Sequence, residues 1–223
     1  MAPTVLSPAS PVELLHYIVT FQFYPTTILI CYPREDFMAN LVSDALEDTL
    51  ERQHHPTPEG RRPVPLLSAT LYQTAVARHI RILFIPTVTH LRAYLSAFDP
   101  SESLTPPPPG HAPPSSSGKR RPPLLLVYGL LDLHRDTSEW SAQGLGNSAA
   151  SLLEAARRTE FKPVVVEPRG AGEHADFKAV LQDDLPVLSG GARRDEGVWA
   201  GRTVKVKHVL GRWFRFQKGQ WDA

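Results

Sequence analysis

Leu124–Arg135 reads LLLVYGLLDLHR and constrains the fold more than any other stretch of the chain. Leu124–Val127 is a continuous apolar run without alternation, the pattern of a strand buried on both faces, as in a parallel sheet. A proline-rich stretch stops just before it, and a polar turn region and then a helical pattern follow. Strand, loop and helix in that order are the building unit of α/β folds.

The unit recurs. Thr26–Tyr32 (TTILICY), Ile80–Ile85 (IRILFI) and Pro163–Glu167 (PVVVE) read as further buried strands. Arg34–Gln53 is predicted helical, with Met38, Leu41, Val42, Ala45, Leu46 and Leu50 as its core face. A second helix follows Pro86 through Val88, Leu91, Tyr94, Leu95 and Phe98, with Thr87 or Thr89 as N-cap. A third is expected from Asn147 as N-cap to Thr159. Short helices are predicted within Ser68–Arg78 and Asp176–Leu181, and Val12–Phe23 fits a helix or a strand, leaning to helix. Thr203–Phe216 alternates Val204 and Val206 with lysines and Phe214 and Phe216 with Arg215, with Gly211 as a turn. It reads as a half-buried antiparallel ribbon.

At 223 residues the chain is most simply one domain. The expected division is an N-terminal segment, 1–24, with a fraying start at 1–11, then a domain over 25–217 and a tail, 218–223. Asp99–Pro123 holds nine prolines in 25 residues, with three consecutive serines and Lys119-Arg120-Arg121, and reads as a disordered surface insertion. That basic triplet suits an import signal or a phosphate contact, with a solvated charge cluster as the default. One cysteine, Cys31, excludes an internal disulfide framework and suits a reducing compartment. Val12–Tyr32 is interrupted by Glu13, His16 and Pro25 and lacks a basic leader, so neither a membrane span nor a signal peptide is expected. A soluble intracellular protein is the expectation.

No G-x-S-x-G, H-E-x-x-H or C-x-x-C occurs, so no catalytic residue and no metal site is assigned. His54-His55 has no partners at ligand spacing. Asp132, His134 and Asp136 alternate as a hydrogen-bonded turn would. Ser189-Gly190-Gly191 reads as a loop more readily than as an anion cradle.

The basic C-terminal stretch is the best site candidate. Arg193, Arg194, Arg202, Lys205, Lys207, Arg212, Arg215 and Lys218 face only Asp195 and Glu196, a net +6 in a chain of +1. Interleaved with Trp199, Trp213 and Phe214, they have the composition of a surface that contacts phosphates and stacks on bases. An edge strand kept soluble by its lysines, with the aromatics in the core, has an equal claim.

In this order the pieces resemble the core of RecA-like recombinases, especially the divergent eukaryotic recombinase paralogues. Thr27–Leu46 resembles the strand and helix that follow the family's phosphate-loop helix, and Arg81–Leu95 the next pair. Leu124–Arg135 with Asn147–Thr159 resembles the Walker B strand and the helix after it. Pro163–Glu167 resembles the following strand, and Asp184–Phe216 the terminal strands. The resemblance implies a mixed, mainly parallel RecA-like sheet flanked by helices, with antiparallel C-terminal strands.

The departures are in the chemistry. A phosphate loop, G-x-x-x-x-G-K-[ST], belongs before the strand at Thr26–Tyr32, yet there is no glycine before Gly60. The Gly118-Lys119 pair has Pro113 in place of the first glycine and Arg120 in place of Ser or Thr. Tyr128 stands where the Walker B carboxylate belongs, with Asp132 a distant substitute. The resemblance therefore implies a non-enzymatic, cofactor-free accessory subunit of homologous-recombination DNA repair in the nucleus. It would be of the Walker-deficient kind found in Shu-type complexes. Its implied partners are another recombinase paralogue or a SWIM-domain protein, with single-stranded or forked DNA. The alternatives are a RecA-like subunit of the Elongator complex, serving tRNA modification, and a weak ATPase using an unrecognised site, for which loss of nucleotide binding on Asp132→Ala would be the test.

Overall fold

The computed structural model describes residues 2–21, 25–54, 71–100, 123–169, 176–188 and 202–222. Most of the proline-rich insertion, Ser189-Gly190-Gly191, Arg193, Arg194 and Trp199 lie outside the described residues.

In chain order the elements are β1 (Thr4–Leu6), α1 (Pro11–Phe21), β2 (Thr26–Ile30), α2 (Arg34–His54), α3 (Leu71–Ala77), β3 (Ile80–Phe84), α4 (Val88–Ala97), β4 (Leu124–Tyr128), α5 (Leu130–His134), α6 (Ala142–Thr159), β5 (Lys162–Val166), α7 (Phe177–Val180), β6 (Asp184–Pro186), β7 (Thr203–Lys205), α8 (Val206–Gly211) and β8 (Arg215–Gln217). Six strands form one sheet in the order β3-β2-β4-β5-β1-β8, and every pairing in it is parallel. β6 and β7 make a separate antiparallel pair. The fold is α/β, a parallel sheet flanked by helices.

β4 sits inside this sheet, and its five residues are all buried. Side chains alternate across a strand, so Leu125 and Val127 join Leu29, Val5 and Val165 in one core with α4, α5, α6 and α8. Leu124, Leu126 and Tyr128 join Ile28, Ile30, Val164 and Val166 in a second core with Leu14 and Ile18 of α1 and Phe37 of α2. Helices on both faces leave β4 no exposed side, which is why its sequence is apolar without alternation.

Several elements depart from the sequence reading. The fraying start is instead β1, held between β5 and β8 with Thr4 opposite Val164 and Arg215. Val12–Phe23 resolves to α1, whose start is a capping box. The Ser10 N–H donates to Glu13 Oε2 (2.8 Å), the Glu13 N–H to Ser10 Oγ (3.4 Å), and Pro11 takes the first helical position. β3 is an outermost strand and is only partly buried. The helix expected from Asn147 starts earlier, because Ser141 is its N-cap and accepts from the Gly144 N–H (3.0 Å). Thr87 caps α4 as anticipated.

The C-terminal ribbon is also different. Val206, Val209 and Leu210 follow a helical period and bury one side of α8, so only β7 pairs antiparallel. β8 returns to the main sheet, parallel to β1.

Candidate functional site

In open parallel sheets, ligands bind beyond the carboxyl ends of the strands. Here that edge carries Ser7–Ser10 after β1, Cys31 after β2, Tyr128-Gly129 at β4 and Glu167 after β5.

The Ser7–Ser10 loop connects β1 to α1, but its backbone donors are all committed within the chain. Ser7 N–H donates to Gln217 O (3.1 Å), Ala9 N–H to Glu167 O (3.1 Å), and Ser10 N–H to the Glu13 carboxylate (2.8 Å). Pro8 and Pro11 have no N–H. The Pro8 and Ala9 carbonyls are engaged as well. Tyr128 Oη donates to Ala9 O (2.9 Å), and Trp221 Nε1 to Pro8 O (2.9 Å). Gly219 N–H reaches Ser7 Oγ (2.7 Å), and Arg169 pairs with Glu13 at 2.8 Å. Residues of the C-terminal tail, 218–223, thus hold this loop, with Trp221 edge-on to Tyr17.

Tyr128 is 1% exposed and meets Phe37 in a T-shaped contact with centroids 5.8 Å apart. Burial and then the charge of Glu167 push its phenol above the ordinary range. The next residue, Gly129, has φ 84, and a Cβ there would press the Cys31 carbonyl oxygen at 3.3 Å. This left-handed turn aims α5 so that the Leu131 N–H donates to both oxygens of Glu167 (3.1 and 3.2 Å). Burial, reinforced by Asp132, raises the Glu167 carboxyl well above its ordinary value despite those backbone donors. Burial likewise pushes the Cys31 thiol up, in keeping with a small core hydrophobe. Asp132 and Asp136 are exposed and His134 is buried, so the alternating trio does not converge on one point.

His134 belongs to a polar hub between helices. Arg92 Nε donates to Ser148 Oγ (3.0 Å), and Arg92 Nη2 donates to Glu139 Oε2 (2.6 Å) and Gly144 O (2.7 Å). Ser148 Oγ lies 2.8 Å from His134 Nε2, and His134 Nδ1 lies 2.8 Å from Leu130 O. Arg92 can only donate and a carbonyl can only accept. The Leu130 carbonyl thus requires a proton on His134 Nδ1, and in the neutral ring Nε2 accepts from the Ser148 hydroxyl. Burial, and after it Arg92, lowers the His134 pKa from 6.5, against the Leu130 hydrogen bond and Glu139. The unfolded chain takes up this proton before the folded one does. The hub's contribution is complete above about pH 6.5 and is lost as pH falls below it. Urea unfolding at pH 7.5 and 5.5 is expected to show the native chain losing stability relative to His134→Gln, by at most about 1.4 kcal/mol per pH unit.

The basic residues fall into distinct settings. Lys205 is tied to Asp184 at 2.7 Å, and this hydrogen bond is the first cause of the lowered Asp184 pKa. Arg202, Lys207, Arg212, Arg215 and Lys218 are exposed. Lys207 lies on α8 away from buried Val206, Val209 and Leu210, and Arg212 follows the last turn. Arg215 lies on β8, the outermost strand on that side. Phe214 is core at 4% exposure and Trp213 packs partly against the same core, so neither is an open stacking platform.

Among the described residues, no group of three or more His, Cys, Asp or Glu side chains is placed to hold a metal ion, and no helix is long and apolar enough to cross a membrane. No protein-family model matches the chain, and no curated protein matches it.

Proposed function

We propose that the chain is a non-catalytic, RecA-like accessory subunit of homologous-recombination DNA repair, working in the nucleus by assembly with another subunit and by contact with DNA. The partner is another recombinase paralogue or a SWIM-domain protein. The observation that carries the reading is the Ser7–Ser10 loop. It occupies the strand-to-helix junction where a phosphate loop would offer free N–H groups. Its three N–H groups are instead given to Gln217, Glu167 and Glu13. Tyr128 takes the position of the metal-holding carboxylate and donates to the same loop. A scaffold of this kind, with the polar groups of this loop taken up within the chain, is suited to binding through its outer surfaces. The exposed Lys207, Arg212, Arg215 and Lys218 supply local positive charge in a chain of net +1.

The test is fluorescence anisotropy with labelled single-stranded and forked DNA across a salt series, run with the native chain and with Lys207→Ala, Arg212→Ala and Arg215→Ala combined. Three lost phosphate contacts should reduce the slope of log affinity against log salt by about 2, at about 0.7 per contact on single strands. Added ATP should leave binding unchanged. Equal affinity and slope in the variant would remove this surface from the site, and a preference for tRNA would favour an Elongator-type role.

A further inference from the structure

α2 carries apolar side chains on both sides. Phe37 is buried against Phe84 and Tyr128. Met38, Val42 and Leu46 recur every four residues and are 45%, 55% and 53% exposed, and Leu50 continues the row at 53%. Residues four apart are neighbours on one ridge of a helix, and Met38 to Leu50 runs for about 18 Å at 1.5 Å per residue. A solvent-facing helix surface ordinarily carries polar residues. A contiguous aliphatic row there marks an interaction surface.

The charge around the row is one-sided. Between residues 34 and 50 stand Glu35, Asp36, Asp44, Glu47 and Asp48 against the single base Arg34. Arg34 is placed over the Phe84 ring, 5.8 Å from its centroid. Glu35, Asp36 and Glu47 are exposed. Two copies of α2 laid together would bring acid against acid, so self-pairing through this face is opposed. The complement is an aliphatic ridge bordered by positive charge, in a helix-in-groove mode of recognition.

We propose that the Met38–Val42–Leu46 ridge docks an amphipathic helix of a different protein, whose Lys and Arg residues face Glu35, Asp36 and Glu47. This rests on the assembly role proposed above and names the face that performs it and the chemistry of its partner.

The test places photoreactive benzoylphenylalanine at position 42 of the full chain in its native cells, with the crosslinked peptide mapped by mass spectrometry. The expected crosslink falls in an amphipathic helical segment of another protein with Lys or Arg beside its apolar row. Glu35→Lys with Glu47→Lys should weaken that crosslink about tenfold. A crosslink within the chain, to a second copy, or to an acidic segment overturns the proposal. So does a yield no higher than from position 154, exposed on α6. Independently, Val42→Gln with Leu46→Gln should reduce the co-purified subunit about tenfold or more at unchanged Tm. Full retention of that subunit overturns the α2 face and leaves the assembly role standing. If no subunit accompanies the native chain after nuclease treatment, the assembly role falls and the docking face with it.

Discussion

Tyr128→Ala is expected to cost the fold about 3–5 kcal/mol, the range for removing a large aromatic from a packed core. The residue ends the central strand, is 1% exposed and packs against Phe37. A cavity there would open between α2, β4 and the Ser7–Ser10 loop, three parts of the chain brought together only by folding. Tyr128→Phe separates packing from bonding. It keeps the ring and removes the donor to Ala9 O, which still accepts from the Arg169 N–H (3.0 Å), so the expected loss is about 1 kcal/mol. Urea unfolding followed by circular dichroism measures both. Equal losses for the two variants would mean that the hydroxyl, and not the ring, holds the loop.

The two glycines in the first turns of α6 are expected to respond in opposite directions to alanine. At Gly144 an added Cβ would overlap the carbonyl oxygen of Glu139 and come within 2.8 Å of its carboxylate. The backbone of one segment would have to move, and Arg92, bonded to both Glu139 and Gly144 O, would lose its geometry. Overpacking with a disturbed polar hub sets the expected cost of Gly144→Ala at about 3 kcal/mol. At Gly146 the nearest atom to an added Cβ is Trp213 Nε1 at 4.0 Å. Alanine fits there and improves helix propensity, so Gly146→Ala should gain up to about 1 kcal/mol. Thermal melts of the two single variants give the comparison: a raised Tm for Gly144→Ala would contradict the contact at Glu139, and a lowered one for Gly146→Ala would contradict the open space beside Trp213.

The hub also explains why its parts were invisible as a group. Arg92 and Ser148 are 56 residues apart and His134 and Ser148 are 14 apart, and no short motif links them. Asn147 is a good cap by residue type, and so is Ser141; which of them caps the helix depends on which the chain presents to the N–H groups of the first turn, here that of Gly144. In α2 the apolar positions satisfy a helical period, but that period alone does not say which side meets the sheet. Phe37 took the inward position, and the Met38–Val42–Leu46 row was left outside. Val204 and Val206 alternate as a strand would, while Val206, Val209 and Leu210 also satisfy a helix. Packing against α6 favoured the helix. The Ser10–Glu13 capping box is the one missed signal that was written locally, as S-P-V-E.

The sequence by itself determined that the chain builds an α/β fold with buried parallel strands. A strand covered on both faces must be apolar throughout, and TTILI, LLLVY and the PVVV of β5 meet that condition with no outside information. It also determined that no glycine precedes Gly60 and that a tyrosine, Tyr128, ends the central strand, since these are matters of residue identity. Only the tertiary structure decided that three residues near the N-terminus form an inner strand, and that the polar groups of the Ser7–Ser10 loop are taken up within the chain. Bonds to this loop join Tyr128 to Ala9 across 119 residues and Trp221 to Pro8 across 213. Such contacts depend on which distant segments the sheet order brings side by side, and local periodicity carries no record of that order.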